Sequence, residues 1–86
     1  MQIVFRRAAE KALDRLPATR RRQIVGRIER LAAGSASRSL NVRPLQGGSG
    51  LYRLRVGAYR VLFSVDEAAG TVMIELIRGH GAVYKG

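Results

Sequence analysis

The fold of this chain is decided by residues 51–63, which read LYRLRVGAYRVLF. Apolar and polar side chains alternate on both sides of Gly57-Ala58, as they do in two half-buried strands joined by a two-residue turn. A turn of this length fixes the pairing of the strands and places Arg55 directly opposite Arg60. The segment therefore predicts an antiparallel β-hairpin of defined register.

The two faces of this hairpin carry different kinds of side chain, since residues two apart in a strand share a face. One face is wholly apolar or aromatic and consists of Tyr52, Leu54, Val56, Tyr59, Val61 and Phe63. The opposite face carries Arg53, Arg55 and Arg60. We expect the apolar face to point into the core, both tyrosines included, and the arginine face to remain uncovered.

The other elements follow from the periodicity of apolar residues and from glycine and proline positions. Strands are predicted at 2–5, 42–46 and 72–77, the second at a sheet edge because of Pro44. Helices are predicted from Arg6 to about Leu16 and over 18–33, with Pro17 starting the second and Gly34 ending it. Residues 78–86 look irregular.

The order of these elements predicts a single α+β domain over residues 1–86. We expect an N-terminal strand and an antiparallel hairpin of two helices. The helices should pack on one face of a three- to four-stranded, mainly antiparallel sheet. The other face of the sheet would then have no helices on it.

The last strand can pair with its neighbour in two registers. Pairing Val65 with Thr71 would bring Arg78 onto the arginine face but would bury Glu75. Pairing Val65 with Val72 is the better hydrophobic solution, because it places Ile74 and Leu76 on the core face. In that register Glu75 lies beside the arginines, where it is either an ion-pair partner of Arg60 or a base oriented by it.

The chain is strongly basic, with 16 basic and 6 acidic residues and a formal net charge of +10. The segment between Glu29 and Asp66 contains no carboxylate. An arginine-rich genome could produce such a composition, but the clustering favours binding of a polyanion, either nucleic acid or a very acidic protein. Three arginines on one hairpin face also repel one another, by about 3 kcal/mol for a cross-strand pair at an effective dielectric of 20. Splaying of the side chains or a bound phosphate would relieve this.

Composition excludes several other classes of site. The chain has no cysteine, one histidine and six carboxylates, so we expect neither a metal site nor a cofactor. It has no apolar run of the roughly 20 residues that span a bilayer and no signal-peptide pattern, so we expect a cytoplasmic protein without membrane contact. His80 is the one side chain suited to proton transfer near neutrality.

The hairpin segment resembles the central signature of the RelE/ParE toxin superfamily, and Val83-Tyr84 resembles its closing motif. The resemblance implies a type II toxin neutralised by a small antitoxin, which would also supply any contacts to promoter DNA. RelE-type members cleave mRNA in the ribosomal A site through attack by a 2′-hydroxyl. ParE-type members instead poison DNA gyrase and need no nuclease residues. A third alternative is an inactive member that retains only antitoxin binding.

The resemblance also implies roles for individual residues. In a RelE-type enzyme Arg53, Arg55 and Arg60 would bind and stabilise the scissile phosphate, and Tyr84 would orient a base. The general acid would be Arg78 or His80. The full candidate catalytic set is Arg53, Arg55, Arg60, Arg78, His80 and Tyr84. The candidate RNA-binding residues are Arg43, Arg53, Arg55 and Arg60.

Overall fold

A computed structural model describes residues 1–34, 42–45, 47 and 50–79. The elements are β1 (Gln2–Phe5), α1 (Arg7–Asp14), α2 (Ala18–Ala32), β2 (Val42–Pro44), β3 (Tyr52–Val56), β4 (Tyr59–Asp66) and β5 (Thr71–Gly79). The predicted α+β class is confirmed. The β-strands form one sheet in the order β1-β5-β4-β3-β2. Five strands take part where three to four were predicted, because β1 and β2 both join the sheet as its edges.

The pairing of the strands is mainly antiparallel, as predicted. β2, β3, β4 and β5 pair in antiparallel order, whereas β1 lies parallel to β5 at the far edge. Pro44 lies on edge strand β2, where its missing N–H costs no sheet hydrogen bond. The register of β3 and β4 matches the prediction, with Arg55 opposite Arg60 and Val56 opposite Tyr59.

The two helices are joined through Arg21. Its guanidinium donates to the carbonyl oxygens of Leu13 at 3.4 Å and Leu16 at 3.0 Å, which lie where α1 ends and its carbonyls lack helical partners. Gly34 follows α2 with a φ of 90°, the left-handed conformation expected of a glycine that ends a helix. No helix in the described ranges has the length and apolarity to cross a bilayer.

The core lies between the helices and one face of the sheet. Its buried members are Ala9, Ile24, Ile28, Ala32, Leu54, Val56, Val61, Phe63, Val72, Ile74 and Ile77. Tyr52 departs from the prediction, because its side chain is 37% exposed. It begins β3 beside the short edge strand, where its ring stacks on Phe63 with centroids 5.5 Å apart and is otherwise only partly covered.

Candidate nucleic-acid interface

A β-bulge in β5 determines which side chains reach the sheet face opposite the helices, called the open face below. Val65 pairs with Val72, which confirms the preferred register for the first half of the hairpin. Beyond Phe63 the pairing shifts by one residue, and Glu75 is the extra residue. A bulge of this kind inverts the alternation of faces for every residue that follows it.

The inversion overturns one predicted position in β5. Ile77, not Leu76, enters the core opposite Val61 and is 5% exposed. Leu76 lies on the open face opposite Leu62, and Arg78 lies opposite Arg60. Arg78 and Gly79 were predicted to be irregular but continue β5. Arg78 was expected on the arginine face only if Val65 paired with Thr71. Val65 pairs with Val72 instead, and the bulge brings Arg78 to that face.

Five of the predicted site residues lie together on the open face. Arg55, Arg60 and Arg78 occupy directly paired positions on three adjacent strands and are called the arginine row. Arg43 pairs with Arg53 in the next row. Arg53 and Arg60 are half-buried, and the other three are exposed. Within the described part of the chain none of these five side chains has a hydrogen bond or ion pair.

The arrangement is unfavourable unless the side chains splay apart or an anion binds between them. Adjacent strands lie about 4.8 Å apart, so neighbouring guanidinium groups of the arginine row can separate only by splaying into water. Two unit charges about 5.5 Å apart repel by roughly 3 kcal/mol at an effective dielectric of 20. A phosphate would turn this repulsion into attraction, because a guanidinium group offers paired N–H donors that match phosphate oxygens.

A pocket of about 320 Å³ opens among these arginines. Arg53, Arg60 and Arg78 form its charged rim, and its apolar lining consists of Leu45, Leu62 and Leu76. Apolar surface beside three cations suits a nucleotide, whose base is flat and weakly polar and whose phosphate is anionic. Sequence reasoning missed these leucines. Alternation already placed Leu62 on the face of Arg60, but Leu76 reaches the pocket only through the bulge.

Glu75 does not pair with Arg60, and that prediction is wrong. One carboxylate oxygen, Oε1, accepts from Nε of Arg6 at 3.1 Å, and Oε2 accepts from the hydroxyl of Ser64 at 3.3 Å. The parallel pairing of β1 with β5 explains the change, because the backbone N–H of Arg6 donates to the carbonyl of Ile74 at 2.9 Å. Arg6 therefore lies next to the bulge and forms the ion pair with the Glu75 carboxylate.

Loss of the Arg6–Glu75 ion pair should cost little stability. We expect Arg6→Gln to lower the free energy of unfolding by less than about 1 kcal/mol, because the Arg6 side chain is 58% exposed and water screens the pair. Urea denaturation measures the change, with Arg7→Gln as the control for removing a neighbouring exposed charge. A loss above about 2 kcal/mol relative to that control would show that the pair holds β1 to the bulge.

The last predicted site residues, His80 and Tyr84, lie outside the described residues, as do residues 81–83 and 85–86. Their roles stay predictions. Gly79 is the last described residue and directly follows Arg78 of the arginine row.

Comparison with known proteins identifies what this geometry is similar to. Residues 3–84 match the family model described as the ParE toxin of the type II toxin–antitoxin system parDE. No protein with a curated description matches the sequence.

Solved structures agree in fold. The RelE–RelB complex from Pyrococcus horikoshii is similar at 25% identity and a TM-score of 0.77, covering 93% of this chain and 94% of its counterpart. The RelBE2 toxin–antitoxin complex from Mycobacterium tuberculosis is similar at 28% identity and a TM-score of 0.65, covering 92% and 96%. Isolated RelE from E. coli has a TM-score of 0.77 at 17% identity, with 92% and 83% covered, and supports the fold alone.

Proposed function

The chain belongs to the ParE toxin family of type II toxin–antitoxin systems, within the RelE/ParE superfamily, and from this premise we propose that it is an endoribonuclease that cleaves mRNA on the ribosome. Membership makes the chain a toxin of this type but does not decide between RNA cleavage and inhibition of gyrase. The observation that carries the choice is the leucine-lined pocket with Arg53, Arg60 and Arg78 at its rim, two of which belong to the arginine row.

The site suits one nucleotide of single-stranded RNA. Three guanidinium groups at the rim can hold a phosphate from several sides, and the leucines can receive the base or sugar attached to it. A base can reach an apolar floor only when it is unstacked, as it is in single-stranded RNA. A single nucleotide has both the anionic phosphate and the small flat base that these cations and this pocket can accept together.

The proposed reaction transfers the phosphorus from one oxygen to another. The ribose 2′-oxygen bonds to phosphorus while the bond to the 5′-oxygen of the next nucleotide breaks. A base takes the proton of the 2′-hydroxyl, and an acid protonates the leaving 5′-oxygen. The products are a 2′,3′-cyclic phosphate and a 5′-hydroxyl. Negative charge that develops on the phosphate oxygens would be stabilised by Arg55, Arg60 and Arg53, and each such donor is typically worth about 3 kcal/mol.

Mapping of RNA ends after expression of the chain tests this proposal. We expect cuts at defined codon positions that carry cyclic phosphate ends, and the same cuts on purified programmed ribosomes. An accumulation of gyrase-linked DNA breaks without RNA cuts would overturn the proposal in favour of the ParE-type activity, which the description of the matched family favours. Normal growth at a verified protein level would point to the inactive alternative.

The general acid is assigned by comparing Arg78→Ala with His80→Ala in single-turnover cleavage. The variant that lacks the acid should be slower by about 10²- to 10⁴-fold. A substrate with sulfur in place of the leaving 5′-oxygen should restore its rate, because a thiolate leaves without a proton. A residue that only binds phosphate would not be rescued. If neither variant slows cleavage, both assignments are wrong.

We also propose an antitoxin as the partner that covers the open face. Several of the similar solved structures are complexes of RelE-type toxins with RelB antitoxins. A segment with acidic and apolar side chains would match the arginine row and the leucines beside it. Contacts to promoter DNA would come from the antitoxin.

A further inference from the structure

A second strongly basic surface lies on the helix side of the molecule and takes no part in the proposed cleavage. It is a groove of about 460 Å³ between α2 and the β3–β4 turn. We call it the α2 groove. Its charged lining consists of Arg20, Arg22, Arg27 and Arg30, with Gly26 and Gly57 among the residues between them.

Two features of these four arginines do not favour the stability of their own helix, although Arg30 in the last turn of α2 does favour it. α2 has no acidic residue in its first turn, where carboxylates would favour the positive end of the helix dipole, and Arg20 of the groove lies there instead. Arg27 and Arg30 are one turn apart, where like charges repel. Within the described ranges none of the four has an ion pair or a side-chain hydrogen bond. Arg21 differs, because it binds the end of α1.

The lining of the groove favours a sugar–phosphate backbone over a protein segment. An amphipathic helix needs apolar anchoring sites, but the one large apolar residue of this lining, Val56, is only 5% exposed. Gly26 and Gly57 present no side chain, and a Cβ at either would meet nothing within 4 Å, so a bulky backbone can approach closely. Gln23 adds a neutral donor and acceptor that suits a ribose hydroxyl.

We propose that the α2 groove is a separate RNA-binding surface that grips the sugar–phosphate backbone of a structured RNA without reading its sequence. α2 covers one face of the sheet and the arginine row lies on the other, so one molecule can bind RNA on two sides. This inference does not depend on cleavage, because it concerns binding by residues away from the open face.

The test uses a short RNA hairpin with 2′-O-methyl riboses, which cannot be cleaved by 2′-hydroxyl attack. Its affinity is measured over a range of potassium chloride concentrations for the full chain and for Arg27→Gln/Arg30→Gln. Loss of two phosphate contacts to the duplex stem should reduce the slope of log affinity against log salt by about 1.8 and weaken binding about 60-fold near 0.1 M salt. Glutamine has a helix propensity close to that of arginine, and the thermal unfolding midpoint verifies the fold.

The matched control is Arg7→Gln/Lys11→Gln, which removes the same charge from exposed positions on α1. An equal loss of affinity in this control would show that RNA binding depends only on the net charge of the chain, and it would overturn the proposal. Unchanged binding by the α2 variant, with loss confined to Arg55→Gln/Arg60→Gln, would assign all RNA binding to the open face and overturn it as well. A larger loss of affinity for poly-glutamate than for RNA would make the groove a protein-binding surface.

Discussion

Replacement of Arg60 with alanine should slow RNA cleavage by about 10²- to 10³-fold and abolish toxicity while the fold persists. Arg60 is the central member of the arginine row, paired with Arg55 on one side and Arg78 on the other, and it also lines the leucine pocket. Removal of one preorganised donor to a developing negative charge typically costs about 3–4 kcal/mol of transition-state stabilisation. Stability should not fall, because a repelling charge is removed.

The measurement is single-turnover cleavage on programmed ribosomes, together with growth after induction at matched protein levels. Arg60→Lys keeps the charge but loses the forked donor pair, so its rate should lie between those of the native chain and the alanine variant. Arg7→Ala serves as the control for loss of a remote exposed arginine. Full toxicity of folded Arg60→Ala would remove Arg60 from the site.

Replacement of Phe63 with alanine should leave much of the protein unfolded at physiological temperature. Phe63 is 2% exposed, pairs with Ile74 just before the bulge and stacks on Tyr52. Truncation of a buried phenylalanine costs about 3–5 kcal/mol through lost burial and a residual cavity. Small domains have only about 5–15 kcal/mol in total. Urea denaturation followed by circular dichroism measures the loss.

Val4→Ala is the control for this experiment, because Val4 is 41% exposed and its truncation should change stability by about 0.5 kcal/mol or less. A loss below about 1 kcal/mol for Phe63→Ala would mean that the core between β4 and the helices repacks around the missing ring.

The candidate site was predictable to the extent that it depends on alternation within a strand. Arg53, Arg55 and Arg60 share a face as soon as a two-residue turn is recognised, and the structure has them there. Arg78 was proposed for the site from the family resemblance, whereas the pattern of its own strand favoured a register that excludes it. Leu45 and Leu76 were not proposed as site residues, because the sequence around them does not indicate that they lie beside the arginines of the pocket.

Glu75 shows the same limit for an ion pair. A carboxylate beside several arginines was expected to choose Arg60, yet it accepts from Arg6, which is far away in the sequence. Arg6 is near Glu75 because β1 pairs in parallel with β5. Parallel strands are not joined by a short turn, so no turn residues in the sequence indicate that these two strands are neighbours.

The amino-acid sequence alone determined the α+β class, the order of the helices and strands, and the register of the β3–β4 hairpin. These features arise from interactions between residues close along the chain, such as turn geometry, apolar periodicity and helix termination. Only the tertiary structure decided the bulge at Glu75, the entry of Ile77 into the core, and the meeting of Arg78 with Arg60 above the leucines. The physical reason is that one inserted residue exchanges the faces of a strand, and which insertion is most stable depends on how distant side chains pack under the helices.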